Sequence, residues 1–574
     1  MSKFLQTWLN VIARIIPGDS KKLLLYGLFV LGIIFFLRLV SLSFSPLLDT
    51  TETRYAGIAQ SMVLLNDWIT PRLPQAFEPF LAKPPLSFWL TAAAFKVLGC
   101  NEFSARLPNF LEAVLVTLFT YMIARKWYGS GCALLACLVL WSSIFFFIQA
   151  GTVNLDMLVC LHLTSSIWAI WQILEAGQEG KPWKRFFYEL LLAVITACGL
   201  LNKGPFTMAL TLGSFVLFVL FSRDLKNLLR VNWFLVIGLA ILMAAPWYLE
   251  AQGRNPDFFN YFFVQEHFLR YVSKDYGDRY GSAHHQPYGM SWVFLLAAFM
   301  PWSLILIVSL REAWSNWRRH KFLSLSSQTA FLLAWILFTP LFFTSARSIL
   351  MNYILASLPA LSILVAPKIH SLIVEVQTEP AIENLLKLVA LTVLLIAGVL
   401  FAFSGAYPYQ LNPIAPIIIS IVIVLLSFLI GALAVQSDSR AIYALLLVSW
   451  IGMPATLVTW YGPIANSIED NKSLKHLVNQ IALYDPGWQK VIFYREAPPS
   501  SWHFYTQAPL LNGSKLGLSQ PFPQVVKDLD LESSQGKILI IRDALLSNLK
   551  LSYPGVFVQE PIAAEGKYYA FKLP

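Results

Sequence analysis

Long apolar runs recur along the first four-fifths of this 574-residue chain and dictate its solvent. They lie at roughly 23–45, 105–124, 130–149, 153–174, 186–202, 204–222, 232–250, 288–310, 327–345, 350–367, 384–405, 412–435 and 441–461, about thirteen runs, each near the ~20 residues that cross hydrocarbon. A backbone in lipid has no water to bond with, so runs this apolar fold as helices. Composition agrees. The chain is 57% hydrophobic and 13% charged, whereas a water-facing surface carries roughly 25% charge. A cytosolic enzyme, a disordered scaffold and a secreted disulfide module are excluded. The five cysteines, Cys100, Cys132, Cys137, Cys160 and Cys198, show no CxxC spacing and indicate neither a disulfide framework nor a zinc ribbon.

The loops set the orientation. Arg125/Lys126, Lys181/Lys184/Arg185, Arg223/Lys226/Arg230 and Arg311/Arg318/Arg319/Lys321 fall on the side of the N-terminus, which the positive-inside rule makes cytoplasmic. The excess of 42 Lys+Arg over 32 Asp+Glu is first a signal of this topology. No small-residue cleavage site follows the first run, so it reads as an uncleaved span. The outer face then receives two long loops, 46–104 and 251–287, and an odd span count puts the C-terminal tail there too. In a Gram-negative cell this is the periplasm. From about 463 the composition changes. Val491–Tyr494, Lys537–Ile541 and Lys567–Phe571 read as short strands between helix-like stretches and the turn Pro498-Pro499-Ser500-Ser501. The expected organisation is a transmembrane domain over 1–462 and a small periplasmic α/β domain over 463–574.

Polar residues cluster at the outer ends of the spans. Thr53–Val63 is amphipathic, with Tyr55, Ile58, Ala59 and Met62 on one stripe, and is expected to lie in the interface plane with that stripe toward lipid. Asp49, Glu52 and Arg54 stand at its start. Lys83-Pro84-Pro85 opens a second interfacial helix, and a lysine at a helix start suits a phosphate. Asp156, just inside the fourth span, is costly there unless it faces a wet cavity or a partner, and is a functional candidate for that reason. Lys203 sits in the turn between the fifth and sixth spans. Gln265-Glu266-His267-Phe268-Leu269-Arg270 and His284-His285 lie in the second loop, and Arg347 and Tyr353 flank the tenth span. Carboxylates and cations converging on one outer cavity describe a site for an anionic, lipid-linked substrate, with a base for group transfer.

The run Glu52-Thr53-Arg54-Tyr55-Ala56, then Asn66-Asp67-Trp68, Lys83-Pro84-Pro85 and Phe103-Ser104-Ala105-Arg106-Leu107-Pro108 resembles the bacterial GT-C membrane glycosyltransferases, relatives of protein O-mannosyltransferases and of the lipid A aminoarabinose transferase. Leu155-Asp156-Met157, Asn202-Lys203-Gly204, Glu266 to Arg270 and Tyr353 before Pro359 follow in the family's order. The resemblance spans roughly residues 20–460. It implies a polyprenyl-phosphate sugar donor, undecaprenyl phosphate in bacteria, and an acceptor that is lipid A, another glycan or a protein. The family's leading Asp is Thr51 here, so Glu52, Asp49 or Asp156 is left to carry its role. By the resemblance, Asp156 and Glu52 position or deprotonate the acceptor. Arg54, Lys83, Lys203, Arg270 and Arg347 hold the donor phosphate, and Tyr55, His267 and Tyr353 shape the cavity. The family's zinc-holding Glu is Ala82 here, which leaves Glu78 and His267 as candidates for a divalent metal, zinc. A transporter or lipid flippase also has many spans. Such proteins show two related halves and helices broken at midplane; no such duplication is visible here, and the polar residues cluster toward the outer ends of the helices. A non-catalytic relative of the same fold is the third reading, raised by Thr51.

Overall fold

The computed structural model describes residues 20–49, 51–75, 77–269, 286–303, 305–306, 325–346, 348–374, 473–486, 490–511, 523–553, 557, 560–565 and 567–574. The three expected spans at 384–405, 412–435 and 441–461 lie outside them, as do Arg270, His284, His285 and Arg347.

Among the described residues, six helices are long and apolar enough to cross a membrane: Glu102–Trp141, Asp156–Gln178, Pro182–Lys203, Pro205–Ser222, Trp233–Arg254 and Met351–Ser371. The helix Ser20–Ser41 corresponds to the first expected span. The 40-residue helix Glu102–Trp141 holds two expected spans. At 1.5 Å per residue a straight helix would carry Thr117 and Trp141 about 36 Å apart. Instead Trp141 Nε1 donates to Thr117 Oγ1 at 2.6 Å. The chain reverses at Gly129, whose φ of 85° is open to glycine and strained for other residues. The expected span at 288–310 is interrupted: a helix runs Met290–Ala298, the chain turns over 299–302, and helix resumes at Ser303.

The first long loop is held by one buried ion pair. Arg106 lies in the first turns of Glu102–Trp141, a helix opened by a capping box between Asn101 and Ser104. Its guanidinium donates to both carboxylate oxygens of Glu52, at 3.0 and 2.8 Å, and to the carbonyls of Leu42, Ser45 and Pro46. Glu52 also accepts from the amides of Leu48 and Val153. Both side chains are at most 4% exposed. A buried guanidinium needs its donors satisfied, and here the satisfaction ties together the end of the first span, the helix Thr51–Leu65 and the approach to Asp156–Gln178.

The helix Thr51–Leu65 departs from the interfacial expectation. Of its stripe, Ile58, Ala59 and Met62 are buried and Tyr55 partly so, in one cluster with Phe88, Ala92 and Phe95 of Leu86–Leu98 and with Phe504. Phe504 belongs to Ser500–Leu511, a helix of the C-terminal unit. That unit is a five-stranded mixed sheet in the order β2-β1-β3-β5-β4. β1 (Val491–Tyr494) pairs in parallel with β2 (Gln524–Val526) and β3 (Ile538–Arg542), while β5 (Tyr568–Lys572) runs antiparallel to β3 and β4 (Ala563–Glu565). Successive strand residues face opposite sides. Val491, Phe493, Ile538 and Ile540 pack against Leu477, Val478 and Trp502. Ile492, Tyr494, Leu539 and Ile541 pack against Leu529, Leu549 and Phe557. Three of the strands match the expected ones; β2 and β4, of three residues each, carry too little pattern to read.

The C-terminal unit is bolted to the first loop. Asp49 accepts from the Ser501 amide at 2.8 Å, from the Ser501 hydroxyl, and from Thr53 Oγ1 at 2.6 Å. Burial raises the Asp49 carboxyl above its ordinary range, and the Ser501 and Thr53 hydrogen bonds pull the other way. The Tyr505 hydroxyl accepts from the Leu47 amide at 2.7 Å and donates to Glu102 Oε1 at 3.1 Å. Lys475 Nζ meets the same Glu102 oxygen at 2.5 Å.

Two outcomes follow from this packing. Glu52→Ala strands the buried Arg106 charge and should cost roughly 3–5 kcal/mol, seen as a lower thermal midpoint and a lower yield of folded protein in detergent. His503, buried in Ser500–Leu511, has its imidazole held down at about 4. An exposed histidine takes its proton near 6.5. Between those values the unfolded chain binds more protons than the folded one, so stability should fall as pH drops from about 6.5 toward 4. Chemical unfolding of the C-terminal unit across that window checks this, with His503→Gln flattening the slope.

Candidate active site

Four segments meet at one cleft, lined among the described residues by Lys83, Lys203, Phe206, Glu266, His267, Phe343 and Tyr353. Lys203 is the last residue of Pro182–Lys203, where the helix dipole favours a cation. Gly204 then turns the chain with φ 69°, and a side chain there would drive its Cβ to 2.6 Å from the Phe262 ring. Pro205 starts the next helix at once. The sharp turn leaves the Lys203 ammonium pointing into the cleft, 2.6 Å from Asp156 Oδ1, with both side chains only 11% exposed. The same ammonium lies 4.8 Å from the Tyr353 ring centre and 5.5 Å from that of Phe206, so aromatic faces share in holding the charge.

Asp156 is the first residue of Asp156–Gln178. Asn154 caps this end: its Oδ1 accepts from the amides of Asp156 and Met157. Asn202, beside Lys203, receives a hydrogen bond from Ser87 Oγ at 2.8 Å and donates to the Leu155 carbonyl at 3.2 Å. This buried amide pins the Lys83-Pro84-Pro85 segment, the Lys203 turn and the start of the Asp156 helix to one another.

On the opposite wall Lys83 Nζ lies 3.2 Å from Glu266 Oε2 and donates to the Ala82 carbonyl at 2.8 Å. Glu266 and His267 belong to the π-wound segment Asn260–Leu269. His267 Nδ1 lies 2.8 Å from the Phe262 carbonyl and Nε2 3.2 Å from the Lys203 carbonyl. Burial holds the imidazole below its ordinary pKa, and its ring lies between the second loop and the Lys203 turn. Tyr55 stands next to the cleft residues. It packs on Phe80 and Phe88 and lies close enough to Arg54, Lys203, Asp156 and Tyr353 to feel their charges. Burial pushes its phenol above the ordinary range. The Arg54 guanidinium lies 5.0 Å from the Tyr55 ring centre. Its buried Nε has no hydrogen-bond partner among the described residues.

The expected site residues therefore divide. Lys83, Lys203, Asp156, Tyr55, His267 and Tyr353 come together, with Arg54 beside them. Glu52 and Asp49 stand outside the cleft lining, Glu52 engaged by Arg106 and Asp49 by Ser501. Glu266, Asn202 and Phe343 are additions that the site list drawn from sequence lacked. Glu266 carried a legible signal, an acid next to the candidate His267.

A zinc ion does not fit these residues. Glu78 is exposed, and its carbonyl pairs with the Leu73 amide. The position next to Lys83 is Ala82, which offers no side-chain donor. Both His267 nitrogens face backbone carbonyls rather than an open coordination position. No group of three or more His, Cys, Asp or Glu side chains among the described residues could hold a metal.

Residues 82–249 match a family model described as dolichyl-phosphate-mannose-protein mannosyltransferase. The chain is 28% identical over 480 residues to an undecaprenyl phosphate-alpha-4-amino-4-deoxy-L-arabinose arabinosyl transferase of Pseudomonas aeruginosa, covering 80% of this chain and 81% of that protein. It is 30% identical over 323 residues to the transferase of the same name from Pectobacterium atrosepticum, with 56% of this chain and 55% of that one aligned. Its fold matches the crystal structure of ArnT from Cupriavidus metallidurans bound to undecaprenyl phosphate, with TM-score 0.70, 19% identity, and 95% and 98% of the two chains covered. The resemblance to GT-C membrane glycosyltransferases drawn from the first loop stands on these likenesses, and with it the reading of the chain as a multi-pass inner-membrane enzyme.

The pairing of Lys203 with Asp156 has a direct test. Lys203→Met leaves a buried carboxylate without its ammonium and should lower stability by roughly 3 kcal/mol. The double variant with Asp156→Asn should recover part of that loss. Thermal unfolding of the four proteins in detergent gives the cycle, and strictly additive effects would dissolve the pair.

Proposed function

We propose that this polyprenyl-phosphate-dependent glycosyltransferase moves an amino sugar of the 4-amino-4-deoxy-L-arabinose type from undecaprenyl phosphate to a phosphate of lipid A. Transfer takes place at the periplasmic face of the inner membrane. The observation that carries this reading is the convergence of Lys83 and Lys203 in one aromatic-walled cleft, each beside a carboxylate. Two ammonium groups and an unpartnered buried Arg54 N–H suit a phosphate, which a membrane enzyme must hold as its isoprenoid tail lies in lipid. Arg270 and Arg347, outside the described residues, are proposed to join them.

An acceptor oxygen attacks the anomeric carbon while the bond from that carbon to the phosphate oxygen breaks. Polyprenyl phosphate leaves with the electron pair. The leaving group is already a good one, so orientation and charge balance do most of the catalysis. Asp156, fixed by Asn154 and Lys203, aligns the acceptor. Tyr55, His267 and Tyr353 shape the walls.

The carboxylates favour a phosphate acceptor over a hydroxyl. A hydroxyl must hand its proton to a base. Here Thr51 stands where the family places its leading Asp, Glu52 is enclosed by Arg106, and the two carboxylates at the cleft already face ammonium groups. A phosphate oxygen arrives ionised and needs no base. The orientation proposed, with the N-terminus cytoplasmic and the C-terminal unit periplasmic, rests on the loop charges. The division into a membrane domain over 1–462 and an α/β domain over 463–574 rests on the change of composition and on the sheet that follows.

Lys83→Ala and Asp156→Asn should each reduce transfer of radiolabelled sugar from the undecaprenyl phosphate donor to lipid A by at least about a hundredfold, with insertion intact. Turnover like the wild type in both variants would remove the site.

A further inference from the structure

Neither lysine of the cleft is a bare charge. Glu266 holds Lys83 and Asp156 holds Lys203, so a phosphate entering between them meets a carboxylate at each cation. The two carboxylates are held differently. Asp156 is fixed at the capped end of a 23-residue span. Glu266 sits in a ten-residue π-wound segment of the second outer loop, a winding uncommon in helices and concentrated at functional sites. Its side chain is 1% exposed, whereas Lys83, on a flexible four-carbon stem, is 16% exposed. Lys83–Glu266 is the pair built to open.

We propose that Glu266 is a positioning residue for product release. It pairs with Lys83 in the empty cleft, yields Lys83 to the donor's phosphate, and takes it back as polyprenyl phosphate departs. The inference rests on the reading of this cleft as the donor-phosphate site.

Charge arithmetic motivates the role. The donor is a phosphodiester with one negative charge. The product is a monoester carrying about −1.5 to −2 at pH 7. Cations that hold the donor therefore hold the product harder. An enzyme with uncompensated cations would be stalled by its own product. A buried carboxylate competing for one of them weakens the grip where the product gains most. No covalent bond changes in this step. One ion pair replaces another.

The test measures binding and turnover on the full-length protein in detergent. Glu266→Gln keeps the shape and removes the charge. Undecaprenyl phosphate should then bind about tenfold tighter, kcat and donor KM should fall together, and product inhibition should sharpen. A purely structural Glu266 would instead raise KM or reduce folded yield. Glu266→Asp, which keeps the charge but draws it back from Lys83, should tighten binding by a smaller factor and guards against loss of fold in the amide variant. If Lys83→Ala weakens undecaprenyl phosphate binding while neither Glu266 variant tightens it, the release role is overturned and the cleft stands. If Lys83→Ala leaves binding unchanged, the phosphate site itself is misplaced and the release role goes with it.

Discussion

A charge taken out of water must be paired, and that constraint organises the outer half of this protein. Arg106 is the clearest case. Its guanidinium is fully buried at the head of a membrane helix, and its donors are met by one carboxylate and three backbone carbonyls. Satisfying it fixes where the first span ends, where the helix Thr51–Leu65 begins and how the chain approaches Asp156. Glu52 is the means by which a loop of irregular backbone is given one shape. A glutamate with four such obligations holds the site together from outside it.

The cleft obeys the same rule with a looser hand. Its cations are each paired with a carboxylate, and its walls carry aromatic rings and an imidazole. Around Arg106 the partners are protein groups with nowhere else to go. Around Lys83 one partner is a side chain on a flexible stem and the other a carboxylate on a π-wound segment. The difference between a structural ion pair and an exchangeable one lies in this: both bury charge, but only the second leaves room for a competitor.

Much of this was legible in the sequence, because the bilayer permits so few solutions. Run length located the long helices among the described residues, and an acid at the rim of a span marked Asp156. Lys203 was readable as a cation in a tight Gly-Pro turn. What escaped was what depends on distant pairing. Nothing local in Glu52 says that Arg106, 54 residues on, will enclose it, although an arginine inside an apolar helix is itself a sign that an acid waits somewhere. Asp49 reads as a candidate for the family's missing leading carboxylate, and in the structure it clasps Ser501. The stripe of Thr51–Leu65 was read as a lipid-facing surface, since an apolar stripe records burial without naming what buries it. The two ends of the long helix Glu102–Trp141 were separable because Gly129 and its charged neighbours interrupt the run.

The clasp between Asp49 and Ser501 joins positions 452 residues apart. A ribosome delivers the first long before the second, and the membrane spans between them enter the bilayer in the interval. The first long loop thus passes most of its own biosynthesis without this fastening, and takes its final shape only when the C-terminal unit has folded against it.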